Sequence, residues 1–242
     1  MRIQLLHLYP DLMNLYGEYA NVAALRRSLE RQGAEVAVRT GTLYEDIDFS
    51  DADFVYMGAG TESAQLVALE DLHRYTDAVG AALARGVVVL ATGNAMELFG
   101  SSITSPDGTA HAGLGLFLFR TTVSDTARIQ GDCLAVGAAT GQTAVGFVNK
   151  ASQTTEVAHP LFRMEHGPGN AADTAEDGAW EGSFYGTHLI GPLLMKNPHV
   201  NAYFTELLCR RAGLPYQAQD CPHEQRAYEV TLCALQERFR QQ

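Results

Sequence analysis

The sequence lacks the features that would place the protein in a membrane, on a nucleic acid or in the secretory pathway. No window approaches the roughly 18 apolar residues that a membrane-spanning helix needs. Basic residues are few: 17 Lys and Arg against 28 Asp and Glu give a net charge of −11, which disfavours binding to a phosphate backbone. The first residues contain no long apolar stretch of the kind found in signal peptides. We therefore expect a cytoplasmic protein that binds no nucleic acid.

Cysteine is also scarce, and its spacing fits no common metal site. The sequence has no Cys-x-x-Cys pair, and Cys221-x-His223 with its distant cysteine neighbours matches no standard zinc spacing. The cytosol keeps thiols reduced, and a free thiol in a helical pattern acts as a small hydrophobic side chain. We expect free cysteines, no metal and no cofactor. The cysteines are Cys133, Cys209, Cys221 and Cys233.

What the sequence does contain is enough apolar material for a substantial core. Hydrophobic residues make up 46% of the 242 residues and charged residues 19%, which excludes a disordered chain. Strand and helix patterns alternate in the first half, and hairpin patterns follow. This order predicts an α/β fold with a mostly parallel central sheet flanked by helices and with an antiparallel portion. We expect a single domain over 1–242, with a helical extension over about 213–242.

The first half of the chain predicts a parallel sheet with crossover helices. The fully apolar run Val87–Leu90 is typical of a central strand that is covered on both faces. It leads into the sharp turn Thr92-Gly93-Asn94 and a short helix. One helix is predicted from an Asn21 cap to Gly33, and a long uninterrupted one is predicted from about Leu66 to Gly86. The other predicted strands are Ile3–Leu8, Glu35–Arg39 and Phe54–Met57.

The second half predicts a hairpin, a loop and two terminal helices. Thr126–Val136 and Thr143–Asn149 read as paired strands around Gly141-Gln142. Residues 166–182, rich in Gly, Ala and Asp, predict an exposed or mobile loop before a strand over Phe184–Ile190. Helices are predicted from Pro198 to about Ala212 and over about Gln225–Phe239.

Four segments together resemble one family, the class I glutamine amidotransferases of the cobyric acid synthase type. Their order and spacing match its GatD branch, the subunit of lipid II isoglutaminyl synthase, over about residues 2–210. The opening and closing segments are the most specific. The segments are Leu8–Gly17, Ala91–Gly100, Gly146–Asn149, and Gly186–Leu194 with Lys196-Asn197-Pro198.

The resemblance implies a reaction and a partner. The family hydrolyses glutamine with a cysteine on a strand–turn–helix elbow and a histidine from a later strand, and the ammonia passes to a second protein. In the GatD branch that protein is MurT, a Mur-ligase-like subunit that uses ATP to activate the α-carboxyl of D-glutamate in the lipid II stem peptide. No Gly-x-x-x-x-Gly-Lys-Ser/Thr motif occurs here, so this chain is not expected to be the ligase.

Both catalytic positions depart from the family pattern. The family elbow reads Cys-Gly-Gly-Tyr-Gln-x-x-Gly, and its cysteine falls on Gly93. The later strand reads Gly-Thr-Tyr-Leu-His-Gly-Pro, and its histidine falls on Ile190. A third motif, Gly-Phe-Glu-Asn-His, ends here in Lys150. Glycine has no nucleophile and isoleucine accepts no proton, so we expect no glutaminase activity.

Neighbouring residues are weak candidates for substitute catalytic groups. His188 precedes Ile190 by two residues and shares its strand face, about 6–7 Å away. Thr92 adjoins the elbow, and Thr61 and Ser63 follow the Gly58–Gly60 turn. We expect His188 to make one structural hydrogen bond. Glu97 is expected on the helix surface or in the pocket wall rather than as an acid or base.

A ligand pocket could survive without the chemistry. Arg128 resembles the family arginine that meets the glutamine carboxylate, because a guanidinium fork matches a carboxylate. The alternative is an arginine in solvent. Gly58, Ala59 and Gly60 could offer backbone N–H groups to an anion.

Three functions therefore stay open at this point. The chain is a GatD-like subunit without glutaminase activity, an active glutaminase with relocated catalytic groups, or a module that senses glutamine or another amino acid. For the first two we expect a heterodimer with a Mur-ligase-like subunit. Its contact surface would include the apolar segment Gly191–Met195 and the stripe of the last helix, formed by Tyr228, Leu232, Leu235 and Phe239.

Overall fold

The computed structural model describes residues 1–126 and 128–241 of the chain, and a central sheet organises them. Within this part of the chain the sheet has six strands in the order β13-β14-β4-β3-β1-β2. All neighbours are parallel except β13 and β14. The strands of the protein are β1 (Arg2–Leu8), β2 (Glu35–Gly41), β3 (Phe54–Met57), β4 (Val88–Thr92), β5 (Ser102–Thr104), β6 (Ala110–Ala112), β7 (Arg120–Val123), β8 (Ile129–Gly137), β9 (Thr143–Lys150), β10 (Ser152–Thr155), β11 (Phe162–His166), β12 (Glu176–Asp177), β13 (Ala179–Glu181) and β14 (Phe184–Thr187).

Strand β4 is the structural centre, as its apolar run predicts. Every residue of β4 is buried, and the strand pairs with β3 on one side and β14 on the other. A strand that is covered on both faces and paired at both edges holds the turn after it rigidly in place. The predicted α/β architecture, with a mostly parallel sheet and an antiparallel portion, is confirmed.

Two helix predictions need correction. The first helix begins at Tyr19, and Asn21 lies inside it, fully buried, rather than at its cap. The predicted long second helix is interrupted by a 3₁₀ turn over His73–Tyr75. Thr61 caps its first half by accepting the N–H of Ala64. The helices are α1 (Tyr19–Arg31), α2 (Glu62–Leu72), α3 (Thr76–Ala84), α4 (Leu193–Lys196), α5 (Pro198–Arg211) and α6 (Pro222–Arg240), with 3₁₀ helices at Leu15–Gly17 and Gly93–Phe99.

Two antiparallel or mixed sheets complete the fold. The predicted hairpin is present as β8 and β9, which pair antiparallel within a sheet of order β12-β11-β8-β9. A further sheet has the order β10-β7-β5-β6. Residues 166–182 do not form the exposed loop that their composition suggested: they contain β12 and β13, and Asp177 within them is fully buried.

Buried polar side chains attach the segment Gly191–Asn197 to the rest of the core. Asn21 Oδ1 accepts the N–H of Leu194 at 2.7 Å. The Asn197 amide accepts the N–H of Val145 at 2.7 Å and donates to its carbonyl oxygen at 2.9 Å. Such bonds satisfy backbone groups that would otherwise be buried without partners. The segment Gly191–Asn197 is therefore fixed to α1 by Asn21 and to β9 by its own Asn197.

The apolar surface that we expected for a partner is largely used internally. Leu193 and Leu194 are buried in the core. The stripe of α6 lies against its own chain, where Tyr228 donates to the carbonyl oxygen of Thr143 at 2.5 Å and Phe239 stacks on His166. None of these stripe residues is fully exposed, and none is fully buried. Of the described helices, none is long and apolar enough to cross a membrane.

Candidate functional site

The elbow expected from the sequence is present in the backbone. Strand β4 ends at Thr92, and a 3₁₀ helix begins at once with Gly93. Gly93 has a φ of +61°, a conformation that L-residues adopt only under strain and that glycine adopts freely. A strand–turn–helix elbow with this geometry presents one residue above the sheet. Here the presented residue has no side chain.

The space in front of Gly93 is occupied by two other side chains. A Cβ atom built on Gly93 would lie 2.5 Å from the Cβ of Ala59 and 3.1 Å from Cγ2 of Ile190. Real Cβ atoms are not found at the first distance, so a cysteine at this position would require Ala59 to move. The position is therefore filled by neighbouring apolar groups as well as lacking its nucleophile.

Ile190 is held next to the elbow by a backbone bond. Its N–H donates to the carbonyl oxygen of Phe147 at 2.9 Å, and its side chain is buried. Strand β14 ends at Thr187, earlier than expected, so His188 and Ile190 do not continue it. Both residues nevertheless line one cleft, together with Gly93.

His188 is more than a strand histidine with one hydrogen bond. Its Nδ1 lies 2.9 Å from Oδ1 of Asp177, and its Nε2 lies 3.5 Å from Oε1 of Glu97. Asp177 is fixed in turn, because its Oδ2 accepts Thr187 Oγ1 at 2.6 Å and the N–H of His188 at 3.1 Å. The Nε2 atom also lies 3.5 Å from Oγ1 of Thr154. The His188 ring is therefore held between two carboxylates and one hydroxyl, and Asp177 fixes its orientation.

Glu97 lies in the floor of the cleft, buried, and not on a helix surface. Ser152 donates to its Oε1, and Gln65 Nε2 donates to its Oε2 at 2.7 Å. Burial raises the pKa of Glu97, but the hydrogen bond and charge of His188, with the other donors, outweigh it and leave that pKa below its ordinary value. The pKa of Asp177 is likewise lowered, with burial overcome by His188 and Lys150. Both carboxylates are therefore charged at neutral pH.

Lys150 supplies a second cation to this cluster. Its ammonium group is buried and donates to the carbonyl oxygen of Asn170 at 2.7 Å. Burial lowers its pKa, while the charges of Asp177 and Glu97 raise it. Two buried carboxylates therefore face one lysine and one histidine, so their charges are compensated within the protein.

A second buried carboxylate network lies behind the elbow. Thr92 donates to Oε2 of Glu18, which also accepts Tyr56 OH at 2.7 Å, and the N–H of Gly191 donates to its Oε1 at 3.0 Å. Burial raises the pKa of Glu18. Its hydrogen-bond donors are neutral and lower the pKa too little to offset burial. The Thr92 hydroxyl is thus committed to Glu18, and Thr92 is absent from the described residues that line the cleft.

The other candidate nucleophiles lie outside the described lining of the cleft. Thr61 caps α2, and its hydroxyl lies 3.0 Å from that of Ser63; both residues are exposed. Cys133 is buried, and burial raises the pKa of its thiol to about 12, so it carries no thiolate at neutral pH. The structure therefore brings a base-like histidine to the cleft without a nucleophile beside it.

The expected ligand groups are present but already bonded. Gly60 N–H donates to Oδ1 of Asn94 at 2.9 Å, and the Asn94 amide donates back to the Gly60 carbonyl at 3.0 Å. Ala59 and Gly60 line the cleft, whereas Gly58 faces the side chain of Glu18. An N–H that the elbow asparagine has capped is not free to bind an anion.

Arg128 lies at the mouth of the cleft in a chain of side-chain contacts. Its guanidinium bonds Glu62 at 2.8 Å and Asn149 Oδ1 at 2.6 Å, and Asn149 donates to Tyr16 OH at 2.7 Å. The Arg128 side chain is 46% exposed, so this pairing is weak. The enclosed cavity beneath has a volume of about 20 Å³, room for about one water molecule.

Sequence reasoning missed most of the charged cluster. Asp177 falls in the Gly-, Ala- and Asp-rich stretch that reads as a loop, and nothing local marks it as buried. Gln65 and Ser152 come from separate elements that only the folded chain brings to Glu97. Lys150 could have been noticed from the sequence, since it ends a motif in which the family that the chain resembles has histidine.

Comparison with known proteins connects this geometry to a family. Residues 4–198 match the model of the CobB/CobQ-like glutamine amidotransferase domain. The chain is 30% identical over 218 residues to the lipid II isoglutaminyl synthase (glutamine-hydrolyzing) subunit GatD of Staphylococcus aureus (strain N315), covering 90% of this chain and 89% of that protein. It is 27% identical over 201 residues to the GatD subunit of Streptococcus pneumoniae (strain ATCC BAA-255 / R6), covering 82% and 77%.

A solved structure supports the same fold. The crystal structure of a glutamine amidotransferase superposes with a TM-score of 0.56 at 14% identity, covering 84% of this chain and 98% of that chain. The match of the family model to most of the sequence, together with the elbow and its cleft, shows that the chain belongs to the CobB/CobQ-like glutamine amidotransferase family, as a GatD-like member.

Proposed function

We propose that this protein is the GatD-like subunit of a lipid II isoglutaminyl synthase and that it has no glutaminase activity of its own. It works in the cytoplasm with a Mur-ligase-like subunit that amidates D-glutamate in peptidoglycan precursors. Residues 1–242 act as one glutamine amidotransferase-like domain, and the segment from about 213 is its helical extension. Similarity to two GatD subunits over most of the chain supports the assignment to this complex.

The main support for the absence of glutaminase activity is the position of Gly93 at the elbow, where neighbouring side chains fill the space of a nucleophile. Gly93 offers no nucleophile, and Ala59 and Ile190 occupy the space where one would stand. In a hydrolase with a nucleophile and a histidine, loss of either costs about 10⁶ in kcat. Oxyanion stabilisation and substrate binding alone leave about 10³–10⁴ over the uncatalysed reaction. Even this remaining rate enhancement is expected to be smaller here, because the Gly60 N–H already donates to Asn94.

Ammonia must then reach the ligase from another source. The simplest one is free ammonium in the cell, taken up by the ligase while this subunit stabilises or positions it. The backbone of the family is retained around the dead centre, because Asn21 and Asn197 hold the closing segment to α1 and β9. A subunit that keeps its fold without its chemistry can still serve as a scaffold.

Reconstitution with the ligase tests this proposal. The purified ligase would be assayed for amidation of its precursor with this subunit and with either glutamine or ammonium chloride as the nitrogen source. We expect ammonium to support amidation and glutamine not to. The S. aureus GatD relative with its own ligase serves as the positive control. Amidation that depends on glutamine and on this subunit would contradict the proposal.

One observation favours a second candidate, an active glutaminase with a relocated base. The Asp177–His188 pair has the geometry of an oriented general base. However, the Thr154 hydroxyl that lies 3.5 Å from His188 Nε2 is not among the described residues that line the cleft, and the hydroxyl of Ser152, which does line it, donates to Glu97. Glutamate release that disappears in both His188→Ala and Ser152→Ala would support this candidate. An amino-acid sensor is less favoured, because the cleft holds about one water molecule, and both the Gly60 N–H and Arg128 already have partners.

A further inference from the structure

A second cavity lies away from the elbow, between α1, α5 and the segment that precedes α6. Its volume is about 420 Å³, and it shares no lining residue with the cleft at Gly93. Small-molecule sites in proteins commonly have volumes of about 300–1,000 Å³, so this cavity is of ligand size. Its apolar walls include Ala24, Met195, Ala202 and Tyr216.

Two buried polar atoms in the wall of this cavity have no hydrogen-bond partner in the described part of the chain. They are Nε2 of His199 and Oδ1 of Asn201. The rest of the Asn201 amide is satisfied, since its Nδ2 donates to Ser28 Oγ at 2.7 Å. Native proteins rarely leave buried polar atoms unpaired, and a water or ligand commonly explains those that are. The Asn201 oxygen requires a donor.

The His199 ring is neutral and can act as a donor or an acceptor. Burial lowers its pKa to about 4, and its ring packs edge-on against Tyr228 of α6. A neutral imidazole exposes one N–H and one lone pair, and the tautomer can adjust to a bound molecule. Two residues of the cavity wall therefore each hold an unpaired hydrogen-bonding atom, which is buried within the wall.

The cavity lining carries charged side chains of both signs, with Arg27 and Arg31 beside Asp220 and Glu224. Arg27 and Arg31 stand one turn apart on α1, and both line the cavity. Arg31 is engaged by Glu224 at 3.4 Å. Arg27 has no salt bridge or hydrogen bond with any residue that the structure describes, and it is exposed. Its guanidinium is thus available for a carboxylate, phosphate or sulfonate.

We propose that this cavity binds a small organic anion that has an apolar body and at least one N–H or O–H donor. The apolar body would lie against Ala24 and Ala202, the donor would meet Asn201, and the anionic group would meet Arg27. This site is independent of the proposed function, because it shares no residue with the elbow cleft. It binds ligand whether or not the protein hydrolyses glutamine.

Anilinonaphthalene sulfonate is a suitable probe, because it combines aromatic rings, one N–H and one sulfonate. Its fluorescence would be titrated against the folded wild-type protein and three variants. Ala202→Leu fills the cavity with a good helix former, and Arg27→Gln removes the cation from the rim. Arg26→Gln is the matched control, since Arg26 is the preceding residue, pairs with Glu30 and does not line the cavity.

We expect one saturable probe site per chain, with an affinity at least about tenfold weaker in Ala202→Leu and several-fold weaker in Arg27→Gln, and unchanged in Arg26→Gln. Glutamine should not compete for it. Circular dichroism would confirm that each variant is folded. The absence of saturable binding overturns the proposal. So does an affinity that is unchanged in Ala202→Leu, or one that falls equally in Arg26→Gln and Arg27→Gln.

Discussion

Two buried glutamates contact the elbow region, and their surroundings differ in an instructive way. Glu18 bonds Thr92, just before Gly93, and all its donors are neutral. Glu97 belongs to the 3₁₀ helix that follows Gly93, and it faces the His188 ring. Burial raises the pKa of Glu18, whereas His188 leaves the pKa of Glu97 lowered. One carboxylate ties segments of the fold together, and the other belongs to a charge-compensated cluster.

Three positions in the charged cluster are among those at which the sequence departs from the pattern of the family that it resembles. Glu97 stands where the family has glutamine, His188 where it has tyrosine, and Lys150 where it has histidine. Glu97 and His188 contact each other directly, and Lys150 interacts with Glu97 through its charge. Glu97 and His188 therefore belong to one buried cluster of interacting polar groups, whereas the Glu18 network links Thr92 to the segment after Ile190.

The largest expected effect is the return of glutaminase activity when Ala59 is replaced by glycine and a cysteine and a histidine are introduced at positions 93 and 190. The double variant Gly93→Cys with Ile190→His should stay inactive, because Ala59 obstructs the new side chain. Adding Ala59→Gly should give measurable glutamate release, still far below the roughly 10⁶-fold that an intact nucleophile contributes. Asn94, which caps Gly60, limits the gain. Steady-state glutamate assays on both variants would check this. Equal activity in the two would show that Ala59 does not matter.

Asp177→Asn should be the most destabilising single change in the charged cluster. It removes the carboxylate that fixes His188 and accepts Thr187, and it leaves the buried Lys150 without one of its two neighbouring carboxylates. Breaking a buried pair in this way costs about 3–5 kcal/mol. Urea unfolding would measure the loss. Asp173→Asn, at an exposed carboxylate nearby, is the control and should shift the free energy of unfolding by less than about 0.5 kcal/mol.

The contact between Glu97 and His188 predicts coupled energies for the two residues. Glu97→Gln and His188→Tyr each restore one family residue and break the charge pair, so each should destabilise the fold. The double variant should be less destabilised than the sum by at least about 1 kcal/mol, because it restores a neutral pair. A double-mutant cycle from urea titrations gives this number. Strict additivity would mean that the two positions changed independently.

The smallest expected effect is a difference between Glu18 and Glu97 in how each changes the free energy of unfolding with pH. Since the folded-state pKa of Glu18 is raised, its charged form disfavours the folded state, and stability is lost as pH rises through the acidic range. Since that of Glu97 is lowered, stability is present above the unfolded-state pKa and is lost as pH falls. As the pH rises towards 4.5, the ordinary glutamate pKa, Glu97→Gln should therefore become less stable relative to the wild type. As the pH rises further above 4.5, Glu18→Gln should become more stable relative to the wild type. Parallel trends in the two variants would remove the distinction.

Much of the fold could be predicted because its signals are local. The apolar run ending in Thr92-Gly93 predicted both the central strand and the elbow, and the hairpin at Gly141 followed from its flanking strands. The interruption of the second helix at His73 and the burial of Asp177 depend on tertiary packing and leave no local mark. The site was predictable at Gly93 and Ile190 from motif spacing. The partners of His188 were not, because they come from separate elements.

The central claim is that the elbow has no nucleophile and that its place is filled. The most direct test is glutamate release by the wild-type protein at saturating glutamine, alone and with the proposed Mur-ligase-like partner, beside the S. aureus GatD relative under the same conditions. We expect release by this protein to equal the buffer background in both cases. Turnover at a rate comparable to that of the relative, surviving Thr61→Ala, Ser63→Ala, Thr92→Ala and His188→Ala in turn, would contradict the account.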